Sequence, residues 1–263
     1  MTTVKELLSL EGKTCVVTGA SAGIGSEIAR GFASMGADVI LIYNSTPVDA
    51  LVDDIQNEFK VKAFSYQCDL SDAKALGELM ETLQANHDKI DVFVGNAGIG
   101  WPHGAITNFD SNEDLVNKYE SFMKIELSSM YYCSAYIGKV FEKQGFGNLI
   151  LTASMSATIA NVPQLQAAYN LAKAGVKHLA RSLAIEWSGS GGKIRANSVS
   201  PGYVDTRLCN AMDELKMKWN DMTPLKRMGK PIEIAGIYAY LASDASTYTT
   251  GSDFIVDGGY SSI

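Results

Sequence analysis

No stretch of this 263-residue chain reaches the roughly 18 consecutive apolar residues that span a bilayer. Met1 to Lys13 sets Lys5, Glu6 and Glu11 among leucines rather than supplying the apolar core of a signal peptide. A cytoplasmic location is the expectation. Positive charge is scarce, with 22 Lys and Arg against 29 Asp and Glu and a formal net charge of −7. That balance excludes nucleic acid and anionic membrane as principal partners. Cysteine and histidine are few (4 and 3) and show no metal-ligand spacing, so no metal is expected. Cys15, Cys68, Cys133 and Cys209 lie far apart and read as reduced thiols in or near a core. Internal repeats, low-complexity tracts and Gly/Ser linkers are also missing, which leaves one domain over residues 1–263.

What the chain has is alternation. Thr14–Thr18 is a short apolar run suited to a strand buried on both faces, and Val39–Tyr43, Ala63–Cys68, Val92–Asn96, Asn148–Thr152, Arg195–Val199 and Phe254–Val256 read as further strands. Between them lie segments of helical period: one closing at Gly36, then Pro47–Phe59, Ala73–Asn86, a long one over Asn112–Lys143, Ala168–Trp187 and Ile232–Leu241. Residues 201–231 read as irregular or only partly helical. The pattern predicts an α/β fold, a single-domain Rossmann-type, doubly wound parallel sheet of about seven strands with helices on both faces. Chemistry is then expected in the loops at the C-terminal ends of the strands.

The first such loop is Thr18-Gly-Ala-Ser-Ala-Gly-Ile-Gly25. Its glycines, Gly19, Gly23 and Gly25, let the backbone turn tightly and approach a pyrophosphate, and the following helix aims free N–H groups at that anion. The strand–loop–helix context is the one a dinucleotide site requires, and Gly19, Ser21, Gly23, Ile24 and Gly25 are its candidate contacts. At the end of the second strand an acidic residue would hold an adenosine 2′-hydroxyl and repel a 2′-phosphate. Tyr43-Asn44-Ser45-Thr46 stands there instead, neutral and rich in donors. NADP (NADPH) is therefore expected over NAD, with Asn44 and Ser45 at the phosphate.

The Gly-x3-Gly-x-Gly spacing, together with Asn96-Ala97-Gly98 after the fourth strand, resembles the short-chain dehydrogenase/reductase family over the whole chain. The resemblance implies that Asp69 contacts the adenine ring and that Asn96, Ala97 and Gly98 support the cofactor loop. It implies that Pro201-Gly202-Tyr203-Val204-Asp205-Thr206 lies beside the nicotinamide, with Val204 and Thr206 on its carboxamide, and that the loop within 201–231 covers the substrate. It also implies a homotetramer.

Tyr169 and Lys173 stand one helical turn apart on one face. Such a pair is weak by itself, but this one opens the helix after strand five, where Thr152-Ala153-Ser154 ends the strand. The resemblance makes Ser154, Tyr169 and Lys173 the catalytic serine, tyrosine and lysine, with Tyr169 and Lys173 also touching cofactor. Reducing a ketone needs a hydride on carbon and a proton on oxygen. A free tyrosine, with a pKa of about 10, is a poor base near neutrality; a nearby ammonium and the positive nicotinamide ring favour its phenolate. Ser154 would hydrogen-bond the carbonyl oxygen, with Ser156 as second candidate. Many family members carry a fourth residue, an asparagine in the helix after strand four; aligning on Tyr131-Tyr132-Cys133 puts Ser128 there.

Thr152-Ala-Ser-Met-Ser156, Val162-Pro-Gln-Leu-Gln166, Ala184-Ile-Glu-Trp187, Ser200-Pro-Gly-Tyr-Val204 and Thr250-Gly-Ser-Asp253 resemble the fungal subgroup that includes sorbose reductases, NADP-dependent mannitol dehydrogenases and yeast carbonyl reductases. That implies a small-molecule carbonyl or polyol substrate, a ketose such as sorbose or fructose, or a small ketone. A 3-oxoacyl-thioester reductase shares nearly all these motifs. From another class, a non-catalytic NADP-binding sensor would not need Ser154, Tyr169 and Lys173. A methyltransferase would leave Tyr169, Lys173 and Asn96-Ala-Gly98 unexplained. Tyr203 and Trp101 are further candidates at the substrate, whereas Met212, Met217, Trp219 and Met222 read as packing.

Overall fold

The computed structural model describes residues 2–206 and 213–262. After a one-turn helix α1 (Val4–Leu7), strand and helix alternate: β1 (Thr14–Thr18), α2 (Gly23–Ser34), β2 (Asp38–Tyr43), α3 (Asp49–Phe59), β3 (Ala63–Gln67), α4 (Ala73–Asn86) and β4 (Val92–Gly95). Then come α5 (Asn112–Met123), α6 (Ser129–Gln144), β5 (Gly147–Thr152), α7 (Ala167–Glu186), β6 (Ile194–Pro201), α8 (Asp213–Met222), α9 (Pro231–Ala242) and β7 (Asp253–Val256). The strands form one parallel sheet in the order β3-β2-β1-β4-β5-β6-β7. This is the doubly wound sheet expected from the alternation.

Successive strand residues point to opposite faces, and both faces are apolar, so each is sealed by helices. Val16, Ile40, Ile42, Phe93, Leu149 and Leu151 pack with Leu76 and Leu83 of α4, Ile137 and Phe141 of α6 and Val176 of α7. Val17, Leu41, Val94 and Ile150 meet Ile28 and Phe32 of α2, Ile55 of α3 and Tyr238 and Leu241 of α9. Cys15, Cys68 and Cys133 are buried and unpaired; Cys209 lies outside the described residues.

Helix starts follow local chemistry. The Asp72 carboxylate accepts from the N–H groups of Lys74 and Ala75, Ser111 Oγ accepts from Asp114 N–H, and α9 begins on Pro231. Among the described residues no side chain caps α2, whose N-cap is Ala22. One expectation changes. The long helix predicted over Asn112–Lys143 is interrupted by a π turn at Lys124–Ser128, which divides it into α5 and α6. The segment read as irregular or only partly helical contains α8, while residues 207–212 of the expected covering loop lie outside the described residues.

Candidate active site

β1 and β4 are neighbours in the sheet but not in the chain, so the connections leave to opposite sides and open a crevice at the C-terminal edge. A cleft of about 900 Å³ fills it. At its floor Thr18 Oγ1 accepts from the N–H groups of Asn96 (2.9 Å) and Ala97 (3.1 Å), while Asn96 Nδ2 donates to Thr18 O at 3.1 Å. These bonds lock the end of β1 to the Asn96-Ala-Gly98 segment.

Against that floor sits the glycine loop. Gly19 has φ +65°, and a Cβ on Gly25 would come 2.2 Å from Gly19 O and 2.7 Å from Asn96 Nδ2. Only glycine fits at Gly25, and the N-terminus of α2 is thereby presented bare to the cleft. Thr206 closes the loop from the other side, its Cγ2 3.1 Å from where a Gly23 Cβ would stand. Ser21 Oγ donates to Thr46 O at 3.0 Å, tying the loop to the neutral Asn44-Ser45 turn after β2. A bare helix start, a cradle without side chains and neighbouring hydroxyl and amide donors fit a dinucleotide with its phosphates at α2.

At the far end, Ser154 leaves β5 in extended conformation, and its Oγ accepts from Ser156 N–H at 3.1 Å. Ser156, the second candidate, accepts from Gln166 Nε2 at 3.2 Å. Tyr169 stands in the first turn of α7, and Lys173 Nζ lies 5.5 Å from the centroid of its ring. Lys173 is 4 % exposed; Nζ donates to Thr152 O at 3.2 Å and pairs with Glu126 Oε2 at 2.9 Å. Burial works against its charge, but Glu126 and Tyr169 outweigh that and hold its pKa above the ordinary lysine value.

A family model described as enoyl-(acyl carrier protein) reductase matches residues 19–261. The chain is 45 % identical over 258 residues to a probable NADP-dependent mannitol dehydrogenase of Yarrowia lipolytica, covering 98 % of this chain and 90 % of that one. It is 46 % identical over 261 residues to a sorbose reductase of Candida albicans, with the same coverage. The chain belongs to the short-chain dehydrogenase/reductase family. Among solved structures, the NADPH-dependent 3-quinuclidinone reductase of Rhodotorula rubra superposes with a TM-score of 0.91 at 34 % identity, over 99 % of this chain and 95 % of that one.

In this short-chain dehydrogenase/reductase the expected site residues line the one cleft, from Gly19, Ser21, Gly23, Ile24 and Gly25 through Asn44, Ser45 and Asp69 to Asn96, Ala97 and Gly98. Ser154, Tyr169, Lys173, Pro201, Gly202, Val204 and Thr206 complete it. Ser128 is the exception. It is half-buried at the end of the π turn and is not among the lining residues. From that turn it is Glu126, fully buried, that reaches Lys173. The π turn changes the helix phase here, and Glu126 rather than Ser128 meets Lys173.

Trp219 was also read as packing only. It does pack, 2 % exposed, but it lines the cleft and stacks on Tyr203 with centroids 4.2 Å apart. Trp101, a substrate-side candidate, lies in the lining with its ring edge-on to Phe122. Asn161 and Gln166, not singled out from sequence, line the same end; Asn161 Nδ2 donates to the Tyr203 hydroxyl at 3.1 Å.

Proposed function

We propose that this chain is an NADPH-dependent carbonyl reductase that interconverts a ketose or small ketone and its alcohol, with Tyr169 as general acid/base. The observation that carries the reading is the convergence of Ser154, Tyr169 and Lys173 at one end of a cleft whose other end is the glycine loop. The similarity to mannitol dehydrogenases and sorbose reductases supports a ketose or small ketone as substrate. Gly19, Gly23 and Gly25 with the start of α2 hold the diphosphate, Asn44 and Ser45 the 2′-phosphate, and Asp69 the adenine. Bound NADPH supplies the hydride. Ser154 donates a hydrogen bond to the carbonyl oxygen, steadying the charge that develops there. Tyr169 gives its hydroxyl proton to that oxygen and takes it back in the alcohol direction. Lys173 keeps a positive charge beside the phenol, and Val204 and Thr206 orient the nicotinamide.

The polar side chains Asn161, Gln164 and Gln166 at the substrate end suit a hydroxylated substrate. Exposed Leu115, Val116, Tyr119 and Tyr131 on α5 and α6 and Leu171 on α7 support assembly, for which we infer a homotetramer. The enzyme is assigned to the cytoplasm on its reduced cysteines, and no helix among the described residues is long and apolar enough to cross a membrane. The reading is tested by following NADPH and NADH absorbance with sorbose, fructose, 2-hydroxyacetophenone and an acetoacetyl thioester. NADPH loss with a sugar or aryl ketone, abolished in Tyr169→Phe, is expected. Loss only with the thioester assigns a 3-oxoacyl reductase instead, and tight NADPH binding without turnover assigns a sensor. Light scattering gives the mass of the assembly.

A further inference from the structure

Lys173 is not the only buried ion at the site. Glu126 has no solvent exposure at all, and its Oε2 stands 2.9 Å from Nζ. Its other oxygen, Oε1, accepts from the backbone N–H of Ile99 and rests on Gly98, where a Cβ would come within 2.7 Å of it. One carboxylate thus bridges the lysine to the segment that follows β4. An ammonium has three donors. Nζ donates one to Thr152 O and forms an ion pair with Glu126 Oε2, and Lys173 also lines the cleft.

Electrostatics gives this contact a consequence. A lone lysine beside Tyr169 favours the phenolate, and a fully buried carboxylate on the same lysine offsets that effect at short range and in low dielectric. The end of β5 and the Asn96–Ile99 segment, which enclose the pair, offer no ionisable side chain. Lys177, one turn further along α7, is held by Asp253 and Thr158, and Lys124 is an exposed residue whose charge acts on Asp72.

We propose that Glu126 is a positioning residue acting through Lys173: it fixes the ammonium between Thr152 and the cofactor loop, and its charge keeps the proton on Tyr169 to higher pH than Lys173 alone would allow. The proposal rests on Tyr169 and Lys173 being the acid/base pair. The protonated phenol is the form that reduction consumes, so Glu126 tunes the site toward reduction near neutrality. Oxidation of the alcohol, which needs the phenolate, is pushed to alkaline pH.

Glu126→Gln keeps the shape and an acceptor for Ile99 while removing the charge. Its profiles of kcat/KM against pH are expected to move to lower pH by about one unit, in both the basic limb of ketone reduction and the acidic limb of alcohol oxidation. On the acidic limb that is about a tenfold gain in oxidation relative to the plateau. The ionisation is also read without turnover, as the tyrosinate absorbance difference between each protein and its Tyr169→Phe counterpart with NADP bound. This arm stands even if the wild-type protein reduces none of the ketones tried. A midpoint that stays at the wild-type value in folded Glu126→Gln, with melting checked by circular dichroism, overturns the proposal. Glu126→Asp retains the charge and is expected to keep the wild-type midpoint while weakening NADPH binding. A midpoint displaced by a full unit in Glu126→Asp overturns the charge assignment even if Glu126→Gln does not fold.

Discussion

The hydroxyl of Thr152 lies 2.7 Å from the hydroxyl of Tyr238, at the point where β5 meets α9. Tyr238 is fully buried, and Thr152 Oγ1 also reaches Asn96 Oδ1 at 3.3 Å. The carbonyl of the same threonine receives the Lys173 ammonium. One residue therefore links the α9 side of the sheet to the cofactor segment and to the lysine. Tyr238→Phe removes a single bond and leaves Thr152 its contact with Asn96, so a loss of about 1 kcal/mol in urea unfolding is expected. Thr152→Val also strands the Tyr238 hydroxyl in the core and is expected to cost about 2–3 kcal/mol. Equal costs for the two variants would show that the buried hydroxyl pair contributes nothing beyond packing.

Tyr169 and Lys173 share the proposed chemistry but not the same structural burden. Tyr169 is half-buried at the start of α7, whereas Lys173 neutralises a carboxylate with no access to water. Tyr169→Phe is expected to lower kcat by about 10³-fold or more with unchanged melting and NADPH affinity. Lys173→Met is expected to match that loss and to destabilise the fold by about 3 kcal/mol as well, because Glu126 is left charged and unpaired. Kinetics and calorimetry on the two proteins separate the roles. A Lys173→Met protein as stable as wild type would mean that Glu126 takes up a proton at little cost.

How much of this was legible follows from which signals are local. The glycine loop could be read directly, because a backbone that must turn at Gly19 and admit no Cβ at Gly25 leaves its mark in residue type. The central strands β1, β2 and β4 were equally plain, since burial on both faces makes them nearly uninterrupted apolar runs. Glu126 was not legible. A helix predicted as continuous from Asn112 to Lys143 has a fixed phase of about 100° per residue, and the π turn at Lys124–Ser128 breaks that phase without any glycine or proline to announce it. Alignment on Tyr131-Tyr132-Cys133 therefore stopped at Ser128, a small polar residue two positions past the carboxylate. Trp219 was hidden for a related reason: stacking on Tyr203 is a tertiary contact between the loop after β6 and α8 that leaves no spacing in the chain.

Cofactor choice rests on what is missing at the end of β2. Asn44, Ser45 and Thr46 line the cleft with no carboxylate, and Gln67 Nε2 holds Asn44 O at 2.7 Å, so the turn is braced from β3. Ser45→Asp sets a negative charge where the 2′-phosphate would lie. It is expected to lower kcat/KM for NADPH by about ten- to a hundredfold while raising that for NADH, through repulsion in one case and a ribose hydrogen bond in the other. Parallel assays with the two cofactors measure the ratio. An unchanged preference would place the 2′-phosphate away from Ser45.

Two glycines give opposite expectations for one substitution. At Gly25 a methyl group would stand 2.2 Å from the carbonyl oxygen of Gly19, and backbone cannot yield there as a side-chain tip would. Gly25→Ala must therefore open the loop away from Asn96, and it is expected to lose most NADPH affinity together with about 2 kcal/mol or more of stability. Gly236 lies inside α9, is exposed, and a Cβ there meets nothing within 4 Å. Gly236→Ala keeps its helical backbone and narrows the unfolded ensemble, so it is expected to stabilise by about 0.5–1 kcal/mol with cofactor binding untouched. Urea unfolding and NADPH fluorescence titration on both proteins test the pair. A destabilised Gly236→Ala would mean that the open side of α9 is covered in the assembled protein, and light scattering on the same sample would then show whether the mass of the assembly has fallen.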